Sequence, residues 1–211
     1  MLVAAAVPAT AGESVLELGS GVGVASLCLA ARVAGVKVLG IEIDPELTRI
    51  ANANAARNGM ADRVRFVAAD ASGFGHEEAF DHAFFNPPFH PDMGQISPKP
   101  ARDRARRDTE DAVCHWTRMA LALTKAQSRV TAIIRADRVE EMLAGASEMS
   151  TIVFPLFPRR GEAAKRAIVR ITKGEPPGCR FAAGLVLHQQ GGRSTEAAEA
   201  VLRHGAPLDL G

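Results

Sequence analysis

Between residue 14 and about residue 172, short apolar runs of β type alternate with stretches that carry helix signals, and this alternation restricts the fold more than any other feature. Strands are expected over residues 15–18, 37–43, 64–68, 81–85, 129–134, 152–157 and 167–172, with a short extended run at 185–187. Helices are expected over 25–33, 45–58, 109–123, 139–147 and 195–203. Pro45 suits the first turn of its helix and Asp44 its N-cap, and Asn58-Gly59 is a C-terminal stop. Such alternation builds an α/β fold, a Rossmann-like doubly wound sheet with mostly parallel strands and helices on both faces. Ligands then bind at the carboxyl ends of the strands, and each candidate motif falls at such an end.

A length of 211 residues suits one domain with a full core. The expected division is a main domain over 1–173 and a C-terminal extension, 174–211, packed on the same domain. With 25 Lys and Arg against 24 Asp and Glu, overall charge neither demands nor excludes a nucleic-acid partner, so local clusters decide. Cys28, Cys114 and Cys179 are odd in number and far apart, as in reduced thiols of a cytosolic protein. The six histidines lack ligand spacing, and no metal is expected. No apolar run reaches the ~18 residues of a membrane span, so no membrane partner is expected. Residues 1–7 read as the end of a helix stopped before Pro8. The first strand begins within a few residues, and the expectation is that something is missing upstream.

The first strand runs into Glu17-Leu18-Gly19-Ser20-Gly21-Val22-Gly23. Glycines allow a sharp turn and close approach of a ligand to the main chain. Alone, the pattern serves equally well as a tight strand-to-helix turn. Glu42 ends the second strand nineteen positions after Gly23, the place of an acid that binds ribose hydroxyls, although a solvated strand-end carboxylate also fits. The dinucleotide fingerprint needs a third glycine where Val24 stands, which weakens a hydride-transfer reading.

An acid followed by this glycine spacing resembles motif I of the class I S-adenosylmethionine-dependent methyltransferases. The resemblance implies S-adenosyl-L-methionine as cofactor and seven strands with the last antiparallel. It places Glu17 near the methionine moiety, Gly19, Gly21 and Gly23 along the cofactor, and Glu42 on the ribose. Asp70, after the third strand, would contact the adenine amino group; taken alone, it is equally a helix cap.

Asn86-Pro87-Pro88-Phe89 comes after the apolar run 83–85 and resembles the (Asn/Asp/Ser)-Pro-Pro-(Tyr/Phe/Trp) motif of amino-methyltransferases acting on adenine, cytosine or glutamine amides. An amine conjugated to a ring is a poor nucleophile because its lone pair is delocalised. Two acceptors, the Asn86 side-chain oxygen and the Pro87 carbonyl, would hold its hydrogens and aim the lone pair at the methyl group. Phe89 would stack on the base, a contact contributing roughly 1–3 kcal/mol in nucleic-acid binders. A stiff Pro-Pro turn with a buried Phe is the plain alternative.

Downstream lie Lys99, Arg102, Arg104, Arg106 and Arg107, then Arg159, Arg160, Lys165 and Arg166. With the Asn86 motif, these segments resemble the bacterial tRNA1(Val) adenine-N6 methyltransferase group. If both segments flank the pocket, Arg102, Arg106, Arg107, Arg159, Arg160, Lys165 and Arg166 would be substrate contacts that track a phosphate backbone. A solvated face also fits, since Asp103, Asp108 and Glu162 are interspersed. Trp116 and Cys114 are expected in the core. Two departures stand out: family members carry an upstream segment that helps cover the cofactor, and Phe replaces the commoner Tyr at position 89.

The resemblance implies methylation of an adenine N6 amine in structured RNA, tRNA foremost, by a cytoplasmic enzyme. Methylation of a protein glutamine amide, a small-molecule O-methyltransferase, and an RNA-binding module without turnover remain open.

Overall fold

The computed structural model describes residues 1–75, 79–87 and 112–211. In chain order the elements are α1 (Leu2–Ala6), β1 (Ser14–Leu18), α2 (Val24–Arg32), β2 (Lys37–Glu42), α3 (Pro45–Arg57), β3 (Val64–Ala68), β4 (Phe80–Phe85) and α4 (Ala112–Ala122). Next come β5 (Thr124–Arg135), α5 (Val139–Gly145), β6 (Ser150–Arg159), β7 (Arg166–Thr172), β8 (Gly178–Phe181), β9 (Leu185–His188) and α6 (Glu196–His204). Among the described residues the strands form one nine-stranded sheet in the order β3-β2-β1-β4-β5-β7-β6-β8, with β9 also paired to β6.

Strands β3, β2, β1, β4 and β5 are parallel, and β7 runs antiparallel to both β5 and β6. The seventh strand is thus the reversed one, as expected. Central strands buried on both faces read as continuous apolar runs, which is why β1 and β4 are legible in the sequence. Side chains alternate between faces: Phe84 joins a core under α1, α2, α3 and α6, while Phe85 joins a second core under α4 and α5.

Helix starts obey local chemistry. The Asp44 carboxylate accepts hydrogen bonds from the Glu46 and Leu47 N–H groups, and Pro45 occupies the first turn of α3. Helix α1 ends before Pro8, and Arg32 donates to the Ala4 and Val7 carbonyls at 3.0 and 2.6 Å. The Ala4 carbonyl also accepts from the Val7 N–H at 3.4 Å, so Arg32 adds donors to the free carbonyls of a buried helix end.

Two features differ from expectation. Strand β5 starts at Thr124, upstream of 129, and its pairing with β4 slips between Phe80 and His82. Exposed Lys125, Ala126 and Gln127 conceal this segment's strand character. Beyond the expected seven strands, β9 forms at the extended run expected over 185–187, β8 forms where no strand is expected, and both lie parallel against β6. All four residues of β8 are exposed, so only its backbone pairing makes it a strand. Residues 174–211 are further held by the Leu208 N–H to the Ala5 carbonyl, at 2.9 Å, and by buried Leu210.

At the amino-terminal edge of the sheet, Asp81 accepts from the Ser14 N–H and hydroxyl at 2.9 and 2.8 Å and from Lys125 Nζ at 2.7 Å. Nearby, His82 Nε2 lies 3.1 Å from Glu13 Oε2.

Candidate active site

The register of three strands assembles the site. Leu18 pairs with Ile41 of β2 on one side and with Phe85 of β4 on the other. Gly19, Glu42 and Asn86 therefore leave the sheet side by side at its carboxyl edge. With strands ~4.8 Å apart, the glycine turn and the Asn86 motif are immediate neighbours.

Glu42 braces the turn. It is 8% exposed; Oε2 accepts from the Gly21 N–H at 2.7 Å and Oε1 from the Asp44 N–H at 3.0 Å. Each carboxylate oxygen keeps a lone pair for a further donor. The Ser20 N–H donates to the Ile41 carbonyl and the Gly23 N–H to the Ser20 carbonyl.

The three glycines have different reasons to be there. All have positive φ, +66° at Gly19, +54° at Gly21 and +83° at Gly23. A Cβ on Gly19 would come within 2.7 Å of the Trp116 ring, and one on Gly23 within 2.5 Å of Phe66. A Cβ on Gly21 would meet nothing within 4 Å. Gly19 and Gly23 are dictated by packing as well as by φ, whereas Gly21 faces open space that a ligand can approach.

Glu17 is enclosed. Burial pushes its carboxyl up to about 8, against the lowering effect of hydrogen bonds from the Ser26 N–H and hydroxyl, so it is mostly neutral at pH 7. Ser26 lies in the first turn of α2, and Glu17 thereby satisfies an N–H at the helix start. Asp70 is exposed and caps the short 3-10 turn Ala71–Gly73 through the Ser72 N–H and hydroxyl. Those bonds hold its carboxyl below the ordinary range, with nearby His115 contributing.

Asn86 is exposed, Pro87 is buried, and no described residue holds the Asn86 amide. Pro88, Phe89, Arg102, Arg106 and Arg107 lie outside the described residues.

Arg159 ends β6 and Arg166 begins β7, so the 160–165 turn emerges at the same carboxyl edge. Arg159 pairs with Glu162 at 3.0 Å, while the Arg160 and Lys165 side chains have no partner among the described residues. Three strand spacings separate β4 from β6, roughly 14 Å, so this turn flanks Asn86 and does not touch it.

Two residues at the site escaped the sequence reading. Ile43 sits directly after Glu42 and is 56% exposed, an unusual place for isoleucine. The available signal was an apolar residue immediately beyond the strand-end acid. Trp116, expected in the core, packs its ring 5.8 Å from Phe85 and also covers Gly19. It is half-buried and joins the glycine turn to the strand that carries Asn86. Among the described residues no group of three or more His, Cys, Asp or Glu could hold a metal, and no helix is long and apolar enough to cross a membrane.

Comparison with known proteins agrees with this arrangement. Residues 1–100 match the family described as methyltransferase small domain. A predicted O-methyltransferase from Agrobacterium tumefaciens superposes with a TM-score of 0.81 over 98% of this chain and 96% of that one, at 22% identity. Over residues 1–100 the chain is thus similar to the methyltransferase small-domain family, and its fold is that of a class I methyltransferase. The tRNA1(Val) (adenine(37)-N6)-methyltransferase of Actinobacillus pleuropneumoniae is 25% identical over 169 residues, covering 78% of this chain and 71% of that protein. The release factor glutamine methyltransferase of Chlorobaculum tepidum is 32% identical over 95 residues, 43% of this chain. The match spans 32% of that second relative's length.

Proposed function

We propose that the protein transfers a methyl group from S-adenosyl-L-methionine to the N6 amine of an adenine in structured RNA, with tRNA as the first substrate to test. The observation that carries this reading is the register that sets Gly19 beside an exposed Asn86 with no side-chain partner among the described residues. The likeness to a tRNA adenine-N6 methyltransferase over most of the chain supports the choice of acceptor.

The open face at Gly21, the spare lone pairs of Glu42, the exposed Ile43 side chain and Asp70 fit a nucleoside with its ribose hydroxyls and adenine. Glu17 supports the turn from beneath. The bound cofactor supplies a methyl group already activated by its sulfonium. Asn86 Oδ1 and the Pro87 carbonyl accept the two hydrogens of the acceptor amine and turn its lone pair toward the glycine turn. As the new N–C bond forms and the methyl–sulfur bond breaks to leave a neutral thioether, positive charge grows on that nitrogen, and the two oxygens stabilise it more than they stabilise the neutral amine. One proton then leaves the nitrogen for water. Orientation supplies much of the acceleration, and no separate base is required before transfer. Phe89 stacks on the base, and Arg102, Arg106, Arg107, Arg159, Arg160, Lys165 and Arg166 hold the backbone. An RNA substrate of this kind belongs to a cytoplasmic enzyme.

A protein glutamine amide presents the same planar NH2 group, and the Chlorobaculum tepidum relative favours it as the second reading. The deciding experiment supplies labelled cofactor to unmodified total tRNA and, in parallel, to protein extract. N6-methyladenosine in the tRNA is the expected result; label in protein alone would move the acceptor to glutamine.

A further inference from the structure

Strand β9 pairs in parallel with β6, with His188 opposite Arg159. The loop from 189 to 194 therefore starts level with the 160–165 turn, at the carboxyl edge that carries Asn86. The loop closes on itself: the Gln189 N–H donates to the Arg193 carbonyl at 2.8 Å, and the Gly192 N–H to the Gln189 carbonyl at 2.9 Å. Gln190, Gly191, Gly192 and Arg193 are exposed, and the Arg193 side chain has no partner among the described residues. Residues 159–166 and 188–194 together hold five Lys and Arg against one acid, Glu162. In the whole chain the count is 25 against 24, so these two segments are far more basic than the chain average.

We propose that the 160–165 turn and the 189–194 loop form one ridge that binds the phosphate backbone of an RNA away from the base being methylated. The ridge rests on the RNA reading of the active site. Four strand spacings separate β4 from β9, so the far end of the ridge lies roughly 19 Å from the strand that carries Asn86. A nucleotide at Asn86 and the phosphates on the ridge therefore belong to different nucleotides of one RNA. The substrate is a strand of several nucleotides or a folded RNA, and a single nucleotide or a dinucleotide cannot reach both places. Arg160, Lys165 and Arg193 recognise phosphate, so the ridge adds affinity with little sequence preference and strong salt dependence. An acidic protein surface is the alternative partner that the test separates.

The test uses the full chain with Arg193→Glu, and separately with Arg160→Glu and Lys165→Glu together. Binding of unmodified total tRNA and of an adenine-containing dinucleotide is measured across a salt series, with S-adenosylhomocysteine affinity as a check on the fold. Each variant is expected to weaken tRNA binding about tenfold and to flatten the salt slope by roughly 0.7–0.9 per lost phosphate contact. Dinucleotide and S-adenosylhomocysteine binding should stay near wild type. Should Glu at 193 disturb the fold, Arg193→Gln gives the same reading with a smaller change. Wild-type tRNA affinity and slope in an Arg193 variant that binds S-adenosylhomocysteine normally would overturn the ridge and leave the RNA reading standing. Failure of the wild-type chain to bind tRNA at all, with label entering protein, would overturn that reading and the ridge with it.

Discussion

At the amino-terminal ends of β1, β4 and β5, Asp81 takes hydrogen bonds from Ser14 and Lys125, and Glu13 meets His82. At the opposite edge of the same sheet, Asn86, Arg160, Lys165 and Arg193 have no side-chain partner among the described residues. Both edges belong to one sheet, and β4 runs from Asp81 at one to Asn86 at the other, so the contrast comes from the residues at the strand ends. Polar groups that answer one another tie strand ends together; polar groups left facing outward are available to a ligand. Titration reflects the same division. Burial opposes ionisation of Asp81, but Lys125 and Ser14 hold its carboxyl down at about 2. Glu17, beneath the glycine turn, is pushed the other way by burial, to about 8.

The strongest way to break this contrast is Asn86→Ala. Removing one preorganised polar contact to a developing charge should cost roughly 10²–10³ in turnover, about 3–4 kcal/mol. S-adenosylhomocysteine affinity, read by calorimetry, should stay within about twofold. Equal loss of both would make Asn86 a structural residue of the edge.

Gly23→Ala and Gly21→Ala sharpen the comparison within the turn. The new methyl at 23 meets Phe66, so overpacking should lower stability by about 1–3 kcal/mol. At 21 the space is open and only the positive φ is strained, so stability should fall by about 1 kcal/mol while cofactor affinity falls further. Thermal unfolding with a parallel S-adenosylhomocysteine titration separates the two.

Glu17→Gln tests the buried acid. Its folded value is above the ordinary 4.5, so as pH rises the unfolded chain loses this proton first. The wild-type protein should therefore lose stability from about pH 4.5 to 8, and the Gln variant should show a flatter profile in that window. Urea midpoints at the two ends of the window decide it; parallel profiles would remove Glu17 as the cause.

The smallest effect is expected at the other edge. Asp81→Asn should cost about 1 kcal/mol or less at neutral pH, because the Lys125 pair is partly exposed. The folded value lies below the ordinary 3.8, so the contribution is present above that pH and disappears as pH falls toward 2. Turnover should not change; a loss of activity would show that the two edges are coupled.

Local chemistry makes much of this legible. Asp44-Pro45 announces a helix start, buried parallel strands appear as apolar runs, and the acid-glycine turn and Asn86-Pro87 mark their own positions. Asp70 is readable both as a cap and as a cofactor contact; its cap is seen, and the contact belongs to the proposal. Strand β8 is invisible in the sequence because it buries no side chain, and the start of β5 because its residues face water. The apolar bulk of Trp116 points to the core, but its reach to Gly19 depends on how α4 lies across the sheet.

What the sequence determined by itself was therefore the alternating architecture and the chemistry available at each strand end, since caps, turns and buried runs depend on neighbours in the chain. Tertiary structure alone decided that Gly19 stands beside Asn86, that Glu17 is sealed from water, and that loop 189–194 rises level with the basic turn. These are matters of strand register and burial, which are set by segments far apart in sequence and leave no local trace.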